Sequence, residues 1–334
     1  MSSTPHTTPD RIELPAAAAR LLDWARTRSF RLAWIALAVM FVATAGFLWH
    51  LTRQTTFWFD EWQWVLYRRG NNPGTFLTPH NEHLSLVPVA IYKFLFATVG
   101  IDDYRPYRAL VIAGHLTCSA LVFVYARRRV GDLLGLLAAA LLLFLGPAWQ
   151  DIIWPFQIAW LISLAAGVGA FLMLDRADRV GDLAACGLLG LAIASSGLGL
   201  PLAVGMTAEV LWGRRNLRSA WIVLVPLALY GIWWLAYHSN TTTGQHWRHD
   251  LVLIPPFVAA AAAAAVASVV GLAGQTGTVG PESPLDFGAP LLAVTLALVV
   301  WRLVRVRPVP SRVLALLTAM LSFWTLTAIG RAWF

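Results

Sequence analysis

The chain has 334 residues, 58% of them hydrophobic and 13% charged, with a mean hydropathy of +0.64. That composition excludes a soluble globular domain, and the continuous apolar runs exclude the period-two pattern of an outer-membrane barrel. The net charge of +8 comes from 24 Arg and one Lys, set mostly in short loops between apolar runs; this is a positive-inside pattern and not a nucleic-acid footprint. The expected class is an all-α polytopic membrane protein.

Residues 1–30 are polar and end Arg-rich, without a cleavage-site pattern, and read as a cytoplasmic tail. Residues 31–334 read as one transmembrane domain of about nine spans. The first span is 31–50, preceded by Arg20, Arg26, Arg28 and Arg31, which places the N-terminus in the cytoplasm. The next clear span, 107–126, ends at Arg127-Arg128-Arg129. Residues 51–106 are therefore one large outer loop. Inside it, 84–99 is apolar but short, is broken by Pro88 and carries Lys93, so it reads as an interfacial helix.

Residues 132–147 go out and 152–174 return, joined by a small outer loop that holds Asp151. Residues 183–212 are interrupted at 195–201 and flanked by Arg on both sides. Two arms of about 13 residues, roughly 20 Å each, form a short hairpin with its tip inside the membrane. The alternative is one long kinked helix. Residues 219–237 cross outward, and 238–250 are polar and include the sequon Asn240-Thr241-Thr242. Residues 251–273 are Ala-rich and are read as an outer-face or partly inserted helix, because a crossing would leave Arg302, Arg305, Arg307 and Arg312 outside. Spans at 289–304 and 313–329 follow, and the stop at residue 334, so soon after a span, reads as a truncation. Cys118 and Cys186 lie in apolar runs and read as small core residues.

The chemistry concentrates at Asp60-Glu61, within Phe57-Trp58-Phe59-Asp60-Glu61-Trp62-Gln63-Trp64. Two adjacent carboxylates among large aromatics at a membrane surface are partly desolvated, and their proton affinity is tunable, which suits a general base. The plain alternative is a water-facing acidic turn in an aromatic belt. Against the positive-inside trend, the same loop carries Arg53, Arg68, Arg69, Lys93, Arg105 and Arg108. An anionic head group would explain such cations, and Lys93, Arg105 and Arg108 are the candidates, with Lys93 and Arg108 foremost because each adjoins an apolar run. Snorkelling at span ends is the alternative. His80 and His83 would share a helical face beside Glu82, as a metal or phosphate contact, or as a solvated helix start behind Pro79.

An acidic pair opening a large first outer loop, and a further carboxylate in the second, resemble the GT-C superfamily of membrane glycosyltransferases. That superfamily includes protein O-mannosyltransferases, aminoarabinose transferases and arabinofuranosyltransferases. The resemblance covers about residues 31–237. It implies transfer of a sugar from a polyprenyl-phosphate donor to a lipid, glycan or protein acceptor on the outer face of the plasma membrane. It implies Asp60 as the general base of an inverting reaction, with Glu61 completing the pair. Asp151 would support the acceptor or, with Asp60, a divalent metal such as Mg or Mn. The hairpin near 195–201 would form the recess for the lipid donor. No large C-terminal outer domain is evident, a departure from that pattern.

Two other classes compete. A flippase or transporter of lipid-linked sugars would place its charges at the bilayer midplane, whereas here the acids collect at the surface. A non-catalytic subunit of an envelope assembly would leave the acidic pair unexplained. Asp151 has its own bland reading, as a cap on a helix starting at Ile152.

Overall fold

The computed structural model describes residues 16–80, 82–214, 217–237, 251–272, 287–307 and 309–331. Among these residues the regular structure is helical, with no strand. In chain order the helices are α1 (Ala16–Leu51), α2 (Asp60–Tyr67), α3 (Gly74–Leu77), α4 (Leu86–Thr98), α5 (Arg105–Val130), α6 (Asp132–Leu143), α7 (Trp149–Ile153) and α8 (Ile158–Leu174). They continue with α9 (Arg179–Ser195), α10 (Gly199–Ala208), α11 (Trp221–Tyr237), α12 (Ile254–Val269), α13 (Gly288–Arg305) and α14 (Ser311–Arg331). Among the described residues, seven helical stretches are long and apolar enough to cross a membrane, or eight if the bent stretch 132–153 counts as one span. The chain is an all-α polytopic membrane protein.

Three boundaries differ from the sequence reading. The helix of the first span begins at Ala16, so residues 16–30 of the supposed tail are helical and continuous with the span. Residues 1–15 lie outside the described residues, as do 238–250 with their sequon. The stretch Leu251–Val269 has the hydropathy of a span, 2.1, and α12 packs along α13 and α14. It belongs to the helix bundle and is not set apart on the outer face, because its small alanines allow close helix approach.

Two ends of the bundle are chemically distinct. At one end, Arg127 pairs with Asp132 at 2.9 Å, and Asp175 receives Arg129 at 3.1 Å and Arg312 at 2.7 Å. Ser311 donates to Glu209 at 3.1 Å. These contacts gather the end of α5, the start of α6, the end of α8, the stretch after α10 and the start of α14. At the other end lie the end of α1, α2 to α4 and the start of α5. Trp233 near the end of α11 joins them by donating to the Leu77 carbonyl at 2.7 Å.

This arrangement decides between hairpin and kinked helix. α9 starts beside the Asp175 cluster, and the π-helical turn Glu209–Arg214 after α10 returns to it. A Cβ at Gly199 would lie 2.5 Å from the Ile193 backbone, so the chain folds back on itself where only glycine fits. The pair is a hairpin, broken at Ser196–Leu198 as the sequence predicts. Its arms are longer than expected: α9 has 17 residues, about 25 Å, and α10 has ten followed by the six-residue π turn. The tip meets the large loop directly, since a Cβ at Gly197 would lie 2.6 Å from His83 Nδ1.

Candidate functional site

Residues 51–106 form a folded segment over the bundle and not a loose loop. Its core is aromatic: Trp64, Tyr92, Tyr107 and Phe156 are buried together, with Trp64 4.7 Å from Tyr92 and 4.6 Å from Phe156 between ring centroids. Such pairs add about 0.5–1.5 kcal/mol each beyond the area they bury. They fix α2 against α4 and the stretch before α8.

The acidic pair opens α2. Phe59, just before it, has φ 49° and ψ −114°, a combination normally left to glycine at the first central position of a tight turn. A bulky residue held there costs about 1–3 kcal/mol, strain of the kind that collects at functional sites. The turn puts Asp60 and Glu61 in the first helical turn, where the backbone N–H groups favour negative charge.

The two carboxylates have different surroundings. Glu61 is fully enclosed. It accepts from Tyr92 Oη at 2.6 Å, Tyr104 Oη at 2.7 Å, Trp154 Nε1 at 3.1 Å and the Trp58 backbone N–H at 3.1 Å. Burial pushes its pKa up, while the four donors pull it down without cancelling that effect. The Tyr92 and Tyr104 hydroxyls are pushed up by burial and by the carboxylate they face. Glu61 is thus the knot that ties α2, α4, the start of α5 and the second connecting loop together.

Asp60 faces a different neighbourhood. It is 9% exposed, accepts from Gln63 Nε2 at 3.3 Å, and has Oδ2 3.9 Å from His80 Nε2. Gln63 and His80 line a cleft of 290 Å³, together with Tyr67, Arg68, Thr75 and Thr78. Arg68 is 8% exposed and donates to the carbonyls of Pro79 at 3.0 Å and Thr75 at 3.3 Å. Burial lowers its pKa. In sequence Arg68 is one cation among several in this segment; its burial under the 74–80 stretch is what sets it apart.

His80 is 6% exposed, and its Nε2 has no hydrogen-bond partner among the described residues. Burial, then the charges of Arg68 and His83, lower its pKa to about 4. This carries a stability prediction. A histidine of ordinary pKa near 6.5 takes up a proton in the unfolded chain before it does so in the fold. Stability is then full above pH 6.5 and falls as pH drops towards 4, by about 3 kcal/mol at the limit. Thermal melting in detergent across that window should show the decline, and His80→Gln should flatten it. Equal slopes for both proteins would remove His80 as the cause.

The other expected site residues fall as follows. His80 and His83 do not share a helical face. They close a two-residue reverse turn by exchanging backbone bonds of 3.0 and 2.9 Å, and the positive φ of Glu82, 70°, breaks any helix there. His83 instead packs on the hairpin tip. Lys93 reaches back to α3, donating to Thr75 Oγ1 at 2.8 Å and to the Gly70 carbonyl. Arg105 is exposed and pairs with Asp103 at 2.8 Å, away from the cleft lining. Arg108 is buried, with its Nε 2.9 Å from Thr52 Oγ1 and its guanidinium over the Trp49 ring, so it fastens α5 to the end of α1.

Asp151 lies half-buried in α7, with no side-chain hydrogen bond or ion pair among the described residues. The cap reading fails, since α7 has Ala148 and α8 has Gln157 at the capping position, neither with a side-chain cap. The second loop reaches the acidic motif through Trp154 instead. No three His, Cys, Asp or Glu side chains gather as a ligand set among the described residues.

Comparison of the chain with protein-family models, with curated proteins and with solved structures gives no match.

Proposed function

We propose that this protein is a membrane glycosyltransferase that moves a sugar from a polyprenyl-phosphate donor to an acceptor on the outer face of the plasma membrane. The observation that carries this reading is the Asp60 carboxylate, 3.9 Å from His80, which together with the buried Arg68 guanidinium lines a cleft. In this account Asp60 takes the proton of an acceptor hydroxyl. The hydroxyl oxygen bonds to the anomeric carbon as the bond from that carbon to the phosphate oxygen breaks. The electron pair leaves with polyprenyl phosphate, and a single displacement inverts the anomeric centre. Glu61 holds Asp60 in place and touches no substrate. Asp151 has no assigned step.

Two further features support a lipid-linked donor. The hairpin tip meets the cleft segment at His83, and an apolar cavity of 370 Å³ lies beside it, between α5, α8, α10 and α14, lined by residues including Leu198 and Tyr125. Such a space suits an isoprenoid tail. The arginine-rich end is the one the positive-inside rule assigns to the cytoplasm, which puts the acidic motif outside. Single-cysteine labelling in a Cys-free background should therefore mark position 72 from outside and positions 128 and 216 from inside only. Outside labelling of position 216 would overturn the orientation of the hairpin.

The activity is tested by giving purified protein in proteoliposomes a synthetic polyprenyl-phosphate sugar and a membrane-derived acceptor fraction. Release of polyprenyl phosphate that depends on acceptor is expected. Passage of intact donor across the bilayer without cleavage would instead make the protein a flippase.

A further inference from the structure

Asp60 Oδ2 and His80 Nε2 face each other at 3.9 Å. That is too long for a direct hydrogen bond, whose heavy atoms lie about 2.7–3.2 Å apart, but one oxygen placed between them can bond both. Each side chain is held for this. Gln63 Nε2 donates to Asp60 Oδ1 at 3.3 Å, which turns Oδ2 towards the imidazole. The imidazole packs edge-on against Trp64, 5.7 Å between ring centroids, and tilted on Phe156 at 5.2 Å. His80 is 6% exposed, and its Nε2 has no hydrogen-bond partner among the described residues. A buried polar atom in that condition calls for a partner. The chemistry of the two atoms says which. Burial lowers the His80 pKa to about 4, so at physiological pH the imidazole is neutral and offers an N–H without a charge. Facing a carboxylate, Nε2 is the ring nitrogen that carries this proton. An acceptor and a donor meeting on one oxygen ask for a group that donates once and accepts once, which is a hydroxyl or water. A phosphate or carboxylate would be repelled by Asp60, and an ammonium has no lone pair for Nε2–H. Gln63 and His80, both set against Asp60, line the 290 Å³ cleft, and the Asp60 side chain keeps 12% of its surface exposed, so an oxygen reaches the pair from there.

We propose that His80 is a second catalytic residue of this site, and that its Nε2–H and Asp60 Oδ2 together seat the attacking hydroxyl of the acceptor. As a catalytic role this rests on the glycosyl-transfer reading; the two-point seat for one oxygen does not. The hydroxyl donates its proton to Oδ2 and accepts from Nε2–H, which leaves its other lone pair for the anomeric carbon. As the oxygen–carbon bond forms, the proton passes to Oδ2, and the electron pair of the broken bond leaves with polyprenyl phosphate. His80 gives up no proton. It fixes the oxygen at a second point, so that proton and lone pair are aimed at once, which the base alone does not achieve. A site built to hydrogen-bond a hydroxyl also rejects a molecule that lacks one, because the buried groups are then left unpaired.

The test has two arms, both on the full chain. In the first, magnetic resonance of isotope-labelled histidine in detergent at pH 8 reads which ring nitrogen of His80 carries the proton. Loss of the signal in His80→Phe identifies it, since Phe keeps the packing on Trp64 and Phe156 and removes the N–H. A proton on Nε2 in contact with water is expected, water standing in for the hydroxyl when no acceptor is present. A proton on Nδ1, or an Nε2–H without that contact, overturns the proposal. The second arm measures transfer in proteoliposomes from a synthetic polyprenyl-phosphate sugar to a membrane-derived acceptor fraction. His80→Phe should lower kcat/KM for the acceptor by about tenfold to a hundredfold, leave KM for the donor unchanged and melt no lower than the wild type at pH 8. Added to Asp60→Asn it should cost little more, because both groups serve one hydroxyl. A merely structural His80 would give losses that multiply and a lower melting temperature, and either result overturns the proposal. If Nε2–H contacts water but the wild type transfers no sugar, the oxygen seat stands and the transferase reading falls. If sugar is transferred and His80→Phe is as fast, the reading stands and the seat falls.

Discussion

Glu61→Ala should unfold the 51–106 segment from the bundle. Four donors converge on this carboxylate, from Tyr92, Tyr104, Trp154 and the Trp58 backbone. Each buried donor left without a partner costs about 1–3 kcal/mol, and the vacated volume adds to that. The sum is of the order of the whole stability of many domains. Because the four donors come from four parts of the chain, the loss is not local to α2. Hydrogen exchange and limited proteolysis should show residues 57–107 losing protection while the long apolar helices keep theirs. Glu61→Gln should be far milder, since it keeps one acceptor oxygen and the tyrosine hydroxyls can turn to meet its amide. Wild-type protection in Glu61→Ala would show that the knot is not what holds the segment.

Much of this architecture is legible in the residues because its causes are local. The break at Ser195-Ser196-Gly197 and the Arg clusters on either side are enough to place a hairpin, and at Gly199 a Cβ would run into the backbone of Ile193. The acidic pair is visible for the same reason: carboxylates at the end of an apolar run are conspicuous. What the pair does is not visible. The partners of Glu61 lie up to 93 residues away, on aromatics that look in sequence like ordinary interfacial belt residues. Only the fold shows that one of two adjacent acids is enclosed by four donors and the other sits against His80, which lines the cleft. The contacts of the cations are hidden in sequence for the same reason. Lying next to an apolar run picked out Arg108, but that position is what lets it reach back to Thr52 and Trp49. Arg68 sits mid-segment, and its role comes from the 74–80 stretch folding over it. The parity of arginines kept α12 out of the bundle, although its composition alone placed it inside.

Asp60→Asn should lower sugar transfer by about 10²–10⁴, the range for removing a positioned base. Asn keeps the shape of the side chain and still accepts from Gln63, so α2 and its aromatic packing should persist. The acid that secures the segment, Glu61, is untouched. The variant should insert, melt like the parent and still bind the polyprenyl-phosphate sugar, because Arg68, the cation that lines the cleft, is untouched. The decisive comparison is therefore turnover of a synthetic polyprenyl-phosphate sugar by the wild-type protein and by Asp60→Asn, with donor binding measured on the same samples. The account predicts donor bound by both proteins and transferred only by the wild type, with inversion at the anomeric carbon. Transfer at the wild-type rate by Asp60→Asn would contradict it.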